Sequence, residues 1–297
     1  MQDIQTLVGE IKDLSTIEQE VVQELLAIPE IATFIQLHQL SKDAILSNAN
    51  TFYEYIKSLN DQATDAQIEG HLFMNDYGKI EFGYQYTAKM RKIIELKKYI
   101  ECLYMDEHLL AADIIDFKNQ GASTAIIRAT ELVKKIRANA PVTKALFISG
   151  KNGVGKTHLL AALAKEFAKK KQKVIFVFVP ELIRTLKQNP YEADKTIKKL
   201  QAIPVLMLDD IGAEMQTSFS RDEILLPILN SRMNSKKLTF FSSNFSLEDL
   251  ELHFTKTQYG ENEPVKAERM IERIGALAEY VGLNGVNYRK LENGGQE

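Results

Sequence analysis

The sequence is poor in the features that mark secreted and membrane proteins. Among its 297 residues only Cys102 is a cysteine, so no disulfide can form within the chain, and a reducing compartment fits. No apolar run approaches the ~20 residues that are needed to span a bilayer. Residues 1–4 open neither a charged nor an apolar leader, so no signal peptide is expected. These absences predict a cytoplasmic protein with no membrane partner.

Neither sign of charge dominates the composition. The chain has 37 Lys and Arg against 40 Asp and Glu, which gives a net charge of −3 and a pI of about 6.1. This charge balance does not indicate a nucleic-acid-binding protein, although a local basic surface is compatible with it. The 45% hydrophobic and 26% charged residues are ordinary for a soluble globular protein, and the length allows two domains.

The first third of the chain has the pattern of a helical domain. Apolar residues recur at helical spacing over 21–28, 31–40 and 52–59, and Ser41 is a candidate N-cap. Residues 70–87 differ, because glycines punctuate short aromatic runs and 79–84 alternate polar with apolar, which predicts a small β-hairpin. A helix is expected over 87–101. We predict a mainly helical domain over 1–102, a connector over 103–123, an α/β domain over 124–291 and a disordered tail over 292–297.

The α/β prediction depends on four apolar runs that are separated by helical stretches. They cover residues 145–149, 173–179, 205–208 and 238–243. Continuous apolar strands that alternate with helices are typical of a parallel sheet with both faces covered.

Residues 150–157 read Gly-Lys-Asn-Gly-Val-Gly-Lys-Thr, the phosphate-binding pattern G-x-x-x-x-G-K-[ST]. The pattern stands between a predicted strand and a predicted helix, where a glycine turn lets backbone N–H groups and a helix N-terminus surround a phosphate. Lys156 would reach the β- and γ-phosphates, and the Thr157 hydroxyl would ligate Mg²⁺. The alternative is a glycine turn that fits the pattern by chance. The residues predicted to bind the nucleotide are Gly150, Asn152, Gly153, Val154, Gly155, Lys156, Thr157 and His158.

Polar side chains end the third and fourth predicted strands. Asp209 would hold Mg²⁺ together with Thr157, and Asp210 would orient or deprotonate the attacking water. The alternative is a strand that ends in a polar turn. Asn244 closes the run 240–243 and, beside the Asp209 strand, would reach the γ-phosphate or the water. It could also simply begin the turn into 246–250.

Two arginines on one predicted helix are candidates for a role in catalysis. Arg269 and Arg273 are four residues apart and therefore share one face. An arginine presented to a neighbouring subunit's γ-phosphate could stabilise charge as phosphate leaves. The alternative is ion pairing with Glu268 and Glu272 on a solvated surface, and the residues alone leave both open.

Together these motifs resemble the AAA+ ATPases, and specifically the bacterial replicative-helicase loaders of the DnaI/DnaC type. The residues that carry the resemblance are 150–157, 179–182, 204–214, 243–245 and 266–274. The resemblance is dense over 125–290 and weakest over the first hundred residues. It implies a strand order 5-1-4-3-2, ATP bound between self-associating subunits, Asn244 as sensor 1, and Arg273 or Arg269 as the arginine finger. Arg289 is a weaker candidate for a nucleotide or subunit contact.

The same resemblance implies a function. Such loaders place the hexameric replicative helicase on single-stranded DNA during initiation or restart and grip it with the N-terminal domain. The pair Asp209-Asp210 departs from the usual Asp-Glu; a shorter carboxylate holds water farther from the phosphate, so a slow ATPase stimulated by DNA or partner is expected. Some loaders carry an N-terminal zinc site. Zinc wants four Cys or His ligands, which Cys102 and His71 cannot supply, so no zinc is expected.

A single-strand site would need a basic track with stacking groups. Basic clusters lie at 169–173, 195–199 and 236–237, and each is equally consistent with a solvated helix end. The segment 184–200, between the second and third strands, is the best candidate. Two rival functions stay open: a transposition-helper ATPase, expected to bind duplex DNA and a transposase, and an ATP-gated scaffold without significant hydrolysis.

Overall fold

A computed structural model describes residues 14–60, 67–117, 123–285 and 287 of the chain. The chain forms two compact units, one ending at Lys92 and the other beginning at Ile93. The predicted tail over 292–297 and Arg289 lie outside the described residues. No helix in the described ranges combines the length and the apolar character that a bilayer crossing requires.

In the described residues of the first unit, four helices precede a two-stranded antiparallel hairpin. The helices are α1 (Leu14–Leu26), α2 (Pro29–Leu37), α3 (Lys42–Ser47) and α4 (Ala49–Asn60), and the strands are β1 (Ile68–Met74) and β2 (Ile80–Tyr86). Pro29 stands in the first turn of α2, where its missing N–H costs nothing. The Ser41 side chain caps α3 by accepting a hydrogen bond from the Ala44 N–H at 3.2 Å. The predictions of a helical region and a hairpin are confirmed.

The hairpin is fixed by hydrogen bonds within its turn and by close packing on α4. The Asn75 side chain accepts hydrogen bonds from the Tyr77 and Lys79 N–H groups, both at 3.0 Å, and so fixes the hairpin turn. A Cβ on Gly70 would lie 2.0 Å from the Ser58 hydroxyl, so only glycine lets β1 approach α4 this closely. The helices and the hairpin share one apolar core. Its buried residues are Leu25, Ile31, Phe34, Ile35, Ile45, Phe52, Tyr55, Leu72 and Ile80.

The second unit is built on a six-stranded, fully parallel sheet. In chain order its strands are β3 (Ile100–Leu103), β4 (Ala145–Ser149), β5 (Val174–Phe178), β6 (Val205–Asp209), β7 (Leu238–Ser243) and β8 (Ala278–Gly282). Their order across the sheet is β3-β5-β6-β7-β4-β8. With β4 counted as strand 1, the last five follow the predicted order 5-1-4-3-2, which is confirmed. Every residue of β4 and β6 is buried, so both faces of the sheet are covered.

Helices join these strands. They are α5 (Ala88–Lys97), α6 (Thr124–Arg137), α7 (Lys156–Lys169), α8 (Val179–Gln188), α9 (Pro190–Ala202), α10 (Leu226–Asn234), α11 (Leu247–Thr255) and α12 (Pro264–Leu277). A π-helical turn over Phe219–Leu225 leads into α10.

The apolar runs in the sequence did not predict the two edge strands, β3 and β8. The helix predicted over 87–101 ends at Lys97, and the next residues form β3, which pairs with β5 through Ile100–Val174 and Leu103–Val177. β8 reads Ala-Glu-Tyr-Val-Gly and pairs with β4. Edge strands alternate polar with apolar because one side is less covered, so they resemble helix ends and turns in sequence.

The structure therefore corrects the beginning of the second domain. Residues 93–102, assigned to the first domain, contribute to the second unit. The predicted connector contains two 3₁₀ turns, Glu107–Ala111 and Ile114–Phe117, whose Leu110 and Phe117 are buried in the sheet's core. Residues 118–122 of that connector lie outside the described ranges.

Candidate nucleotide-binding site

The phosphate loop connects the end of β4 to the start of α7. Gly153 and Gly155 have φ angles of +81° and +95°, a region that side-chain-bearing residues rarely adopt. A Cβ on Gly150 would lie 2.3 Å from the Leu283 carbonyl oxygen. Glycine at this position therefore lets the loop pack closely on the chain after β8, and α7 begins at Lys156 with its N–H groups directed at the loop.

The loop's lysine is held at the mouth of this cradle. The Lys156 side chain is 7% exposed, and its ammonium donates to the carbonyl oxygens of Gly150 and Lys151, both at 2.9 Å. It also donates to Asn244 Oδ1 at 2.6 Å. The ammonium is thus positioned beside the loop by polar groups of the sheet edge.

The other residues predicted in the loop take different positions. Val154 is buried in the core, so its side chain anchors the loop. The side chains of Asn152 and His158 are exposed. For these three residues the sequence pattern therefore predicts contact with a phosphate through the backbone alone.

Asp209 lies at the end of β6, buried against the loop. The Thr157 hydroxyl donates to its two carboxylate oxygens at 3.1 and 3.0 Å, and the Ser242 hydroxyl donates to Oδ1 at 2.5 Å. Burial raises the pKa of Asp209 to about 6, against the opposing effect of these two hydroxyls. Asp209 is therefore mostly a carboxylate at pH 7 and titrates within reach of neutrality.

Asn244 connects the lysine to the second aspartate. Its Nδ2 donates to Asp210 Oδ1 at 2.8 Å while its Oδ1 accepts from Lys156. Asp210 has a φ of +59°, and its N–H donates to the Ser242 hydroxyl at 2.9 Å. The strained turn aims this carboxylate out of the strand end rather than along it. The structure thus brings Lys156, Thr157, Asp209, Asp210 and Asn244 together.

The two candidate arginines lie on α12 and differ in their surroundings. Arg273 donates from Nε to Asn230 Oδ1 at 2.6 Å and from Nη1 to the Arg269 carbonyl oxygen at 2.9 Å. It also pairs with Glu272 at 3.1 Å. The Arg269 side chain is exposed and makes no hydrogen bond or ion pair with any residue the structure describes. Within the described ranges, no hydrogen bond joins either arginine to the phosphate loop.

Sequence reasoning did not find three residues that shape this site. Ser242 contacts both aspartates, but a serine inside an apolar strand has no distinguishing pattern. The Asn287 carboxamide packs on Gly153, where a Cβ would lie 2.1 Å from its Oδ1. That Oδ1 is buried and has no hydrogen-bond partner among the residues described. It is an unpaired acceptor beside the cradle.

Glu214 is the third. It is fully enclosed behind the Asp210 turn, where its Oε2 accepts from the Gly212 N–H at 2.7 Å. Its Oε1 lies 3.9 Å from His253 Nε2, and neither atom has a hydrogen-bond partner in the part of the chain described. Burial raises the pKa of Glu214 to about 7 and lowers the pKa of His253. Glu214 therefore titrates near neutrality, beside an imidazole that burial keeps from being protonated.

Comparison with known proteins shows the family to which the chain belongs. A family profile described as IstB-like ATP binding protein matches residues 56–294, and one described as primosomal protein DnaI N-terminus matches residues 1–98. The replicative helicase loader DnaI of Bacillus subtilis is 33% identical over 91% of this chain and 93% of its own length. The chain belongs to the DnaI family of helicase loaders.

Further relatives agree with this family assignment. A crystal structure of DnaI matches with 36% identity and a TM-score of 0.57, covering 65% of this chain and 98% of that one. The replicative helicase loader DnaC of Escherichia coli K12 is 24% identical over 44% of this chain and 54% of its own length. The second unit is thus an AAA+-like core of an ATP-binding family.

The residues present fit ATP and magnesium. A loop with positive-φ glycines, a buried lysine and a helix N-terminus suit a polyphosphate. Among the described residues no three His, Cys, Asp or Glu side chains converge on one point. Asp209 and the Thr157 hydroxyl, which contact each other, would hold Mg²⁺, which would supply charge neutralisation for the phosphates.

Proposed function

We propose that this protein is an ATP-dependent loader of the replicative DNA helicase onto single-stranded DNA, acting in the cytoplasm at replication initiation or restart. Membership of the DnaI family supports the loader role. The observation that carries the ATP dependence is the continuous contact Thr157–Asp209 and Lys156–Asn244–Asp210 at one sheet edge. This contact joins Lys156, which would bind phosphate, to Asp210, which would orient the attacking water.

The proposed chemistry is hydrolysis of ATP to ADP and phosphate. Mg²⁺ would neutralise charge on the β- and γ-phosphates and fix their orientation. Lys156 stabilises the charge that develops on the leaving oxygens, and Asp210 orients the attacking water and accepts its proton. Asn244 keeps the Asp210 carboxylate and the Lys156 ammonium in position through its hydrogen bonds to both. Because Asp210 is one methylene shorter than glutamate, we expect slow hydrolysis that DNA or a partner stimulates.

We assign the arginine finger to Arg269. Arg273 is held within its own subunit by Asn230 and Glu272, whereas Arg269 extends into solvent. Because Arg269 has no hydrogen-bond or ion-pair partner among the described residues, it can reach a neighbour's γ-phosphate at little cost. This assignment requires self-association through the ATP site.

The proposed contact with single-stranded DNA is the α8–α9 segment. Tyr191, in the first turn of α9, is 100% exposed, which is unusual for an aromatic ring and suits base stacking. Lys187 and Lys195 stand four residues to either side, and both are exposed; Lys195 lies 3.9 Å from Glu192 in a solvated ion pair. A ring between two cations provides both terms of single-strand binding, stacking and phosphate attraction.

The proposed contact with the helicase is the first unit. Its exposed large apolar side chains include Leu37, Tyr77 and Tyr84, at 73%, 95% and 65% exposure. Large exposed apolar groups are the usual anchors of protein interfaces. The match of residues 1–98 to the DnaI N-terminal family supports this placement.

The deciding experiment is capture of purified replicative helicase by the full-length protein. A loader retains the helicase, whereas a transposition helper would retain a transposase instead, and failure to bind the helicase would refute the loader proposal. Release of phosphate with and without single-stranded DNA separates an ATPase from an ATP-gated scaffold. No release under either condition would favour the scaffold.

Lys156→Ala tests the nucleotide site directly. We expect at least a hundredfold loss of affinity for a fluorescent ATP analogue with the fold intact, because the variant removes the cation that faces the β- and γ-phosphates. Lys151→Ala is the matched control, since Lys151 is exposed in the same loop. Equal ATP affinity of the two variants would count against this site.

A further inference from the structure

The edge of the sheet at which the strands begin lies opposite the nucleotide site and is basic. The strand starts lie level across the sheet, because Ile100 pairs with Val174, Val174 with Val205 and Val205 with Leu238. Lysines stand within two residues before the first residue of four of the five strands from β3 to β4. They are Lys98 before β3, Lys173 before β5, Lys236 before β7 and Lys144 before β4. Clusters that are distant in sequence thus meet at one edge.

We name six residues the basic edge: Lys98, Lys135, Lys144, Lys171, Lys173 and Lys236. All six side chains are exposed, and none makes a hydrogen bond or an ion pair with the residues that the structure describes. Nearby acids are already engaged. Glu166 is buried and holds both Arg137 and Lys169, and Glu101 pairs with Lys199. Glu131 and Glu279 lie beside Lys135 and Lys144, and both pair with Arg128. The basic edge therefore carries an excess of positive charge, in a chain whose net charge is −3.

None of the six lysines donates a hydrogen bond to a helix-end carbonyl oxygen in the described ranges. Lys135 lies in the last turn of α6, and Lys171 and Lys236 follow the C-caps of α7 and α10. Other lysines cap the helix ends at this edge: Lys170 donates to the Arg137 carbonyl oxygen at 2.8 Å, and Lys237 donates to those of Gln201 and Ala202 at 2.9 Å. The basic edge adds charge beyond what the carbonyl groups use. Such an excess of positive charge raises the local concentration of a polyanion.

We infer that the basic edge binds the phosphate backbone of duplex DNA without reading its sequence. From β3 to β4 it spans four strand spacings, about 19 Å at ~4.8 Å each. Duplex DNA presents about eleven phosphate charges over that length, at one per ~1.7 Å. None of the large exposed aromatic side chains in the described ranges flanks a strand start, so the edge lacks the stacking groups of a single-strand site.

The test uses the full-length protein and a labelled random-sequence duplex of about 30 base pairs. The edge variant carries K144Q, K171Q, K173Q and K236Q together. The charge-matched control carries K57Q, K79Q, K92Q and K256Q, which neutralise lysines that are exposed elsewhere. Binding is followed by fluorescence anisotropy between about 50 and 200 mM salt. We expect the edge variant to bind at least tenfold more weakly at the lowest salt, with a salt slope smaller by about 3 to 4.

Two further measurements keep the outcome specific. Binding of a single strand of equal length should fall in Tyr191→Ala more than in the edge variant, which separates this site from the proposed single-strand contact. ATP affinity and the thermal unfolding midpoint of the edge variant should match the control. Equal duplex binding by edge variant and control would overturn the inference. So would retained duplex binding with lost capture of the helicase, which would assign the edge to an acidic protein surface.

Discussion

Ser242 controls the protonation of the buried aspartate at the ATP site. Its hydroxyl donates to Asp209 at 2.5 Å and so opposes the effect of burial, which raises the pKa of Asp209 to about 6. The same oxygen accepts from the Asp210 N–H at 2.9 Å. One serine thus supports both aspartates.

Ser242→Ala should raise the pKa of Asp209 further, because it removes a donor that stabilises the carboxylate. Mg²⁺-dependent ATP binding of the wild type should weaken as pH falls through about 6, since a protonated Asp209 no longer attracts the cation. In the variant this loss should occur at a higher pH. ATP-analogue titrations from about pH 5 to 8 measure the shift. An unchanged midpoint in Ser242→Ala would mean that another group controls the profile.

Glu214 gives a prediction for stability rather than binding. Its pKa is raised from 4.5 to about 7 in the fold, so the folded state holds a proton that the unfolded state releases. The stability that Glu214 contributes to the folded state is therefore fully present below about pH 4.5 and is lost as pH rises through about 7. Between pH 5 and 8 the wild type should lose about 1–3 kcal/mol of stability relative to Glu214→Gln.

Urea unfolding of both proteins across that range measures this difference. Glutamine keeps the acceptor for the Gly212 N–H and cannot ionise, so it isolates the titration. Parallel stability curves for the two proteins would show that Glu214 does not titrate in the fold.

At the scale of elements, one buried arginine connects α9, β6 and β7. Arg232 is fully buried on α10, and its guanidinium donates to the carbonyl oxygens of Leu200 and Ile203 at 2.7 and 2.8 Å. It also donates to the Thr239 hydroxyl at 2.7 Å. Burial lowers the pKa of Arg232 to about 10, so it remains charged at neutral pH.

Arg232→Met should destabilise the fold by about 3–5 kcal/mol, because it leaves several buried carbonyl groups without donors. Arg232→Lys should recover part of that loss, since one ammonium can satisfy only some of these acceptors. Urea midpoints of the three proteins provide the comparison. A loss below about 1 kcal/mol in Arg232→Met would show that water replaces the guanidinium.

Element positions were predictable where a long apolar run or strong local turn chemistry marked them. β4, β5, β6 and β7 were found from their apolar residues, and the hairpin from its glycines and asparagine. β3 and β8 were not, because an edge strand of four or five residues with a charged side chain has no local signature. Their pairing with β5 and β4 is a tertiary interaction that overrides local propensity.

At the scale of the whole molecule, the proposed finger implies that activity depends on assembly. Arg269→Ala should reduce the rate of phosphate release at least tenfold while leaving ATP affinity unchanged, because the arginine would act on a neighbour's nucleotide. Mixing Arg269→Ala with Lys156→Ala should restore activity. The first subunit supplies an intact ATP site and the second an intact arginine.

Arg273→Ala is the control for this assignment. It should lower stability, because Arg273 holds Asn230, and it should not be rescued by the same mixing. Rescue of Arg273→Ala but not of Arg269→Ala would reverse the assignment of the finger.

The sequence by itself determined the parts of the site that are local. A glycine-rich turn between strand and helix specifies a phosphate cradle, because the positive φ angles of Gly153 and Gly155 and the helix N-terminus arise within a few residues. The position of Asp209 beside Thr157 followed from the rule that parallel strands end at one edge. The family resemblance added the strand order.

Only the tertiary structure decided which distant residues share an environment. It joined Ser242 to both aspartates, placed Asn287 on Gly153, enclosed Glu214, separated Arg269 from Arg273 and gathered six lysines at the opposite edge. Burial and long-range pairing set these contacts, and they depend on how the strands are ordered in space. Neither is encoded in the spacing of residues along the chain.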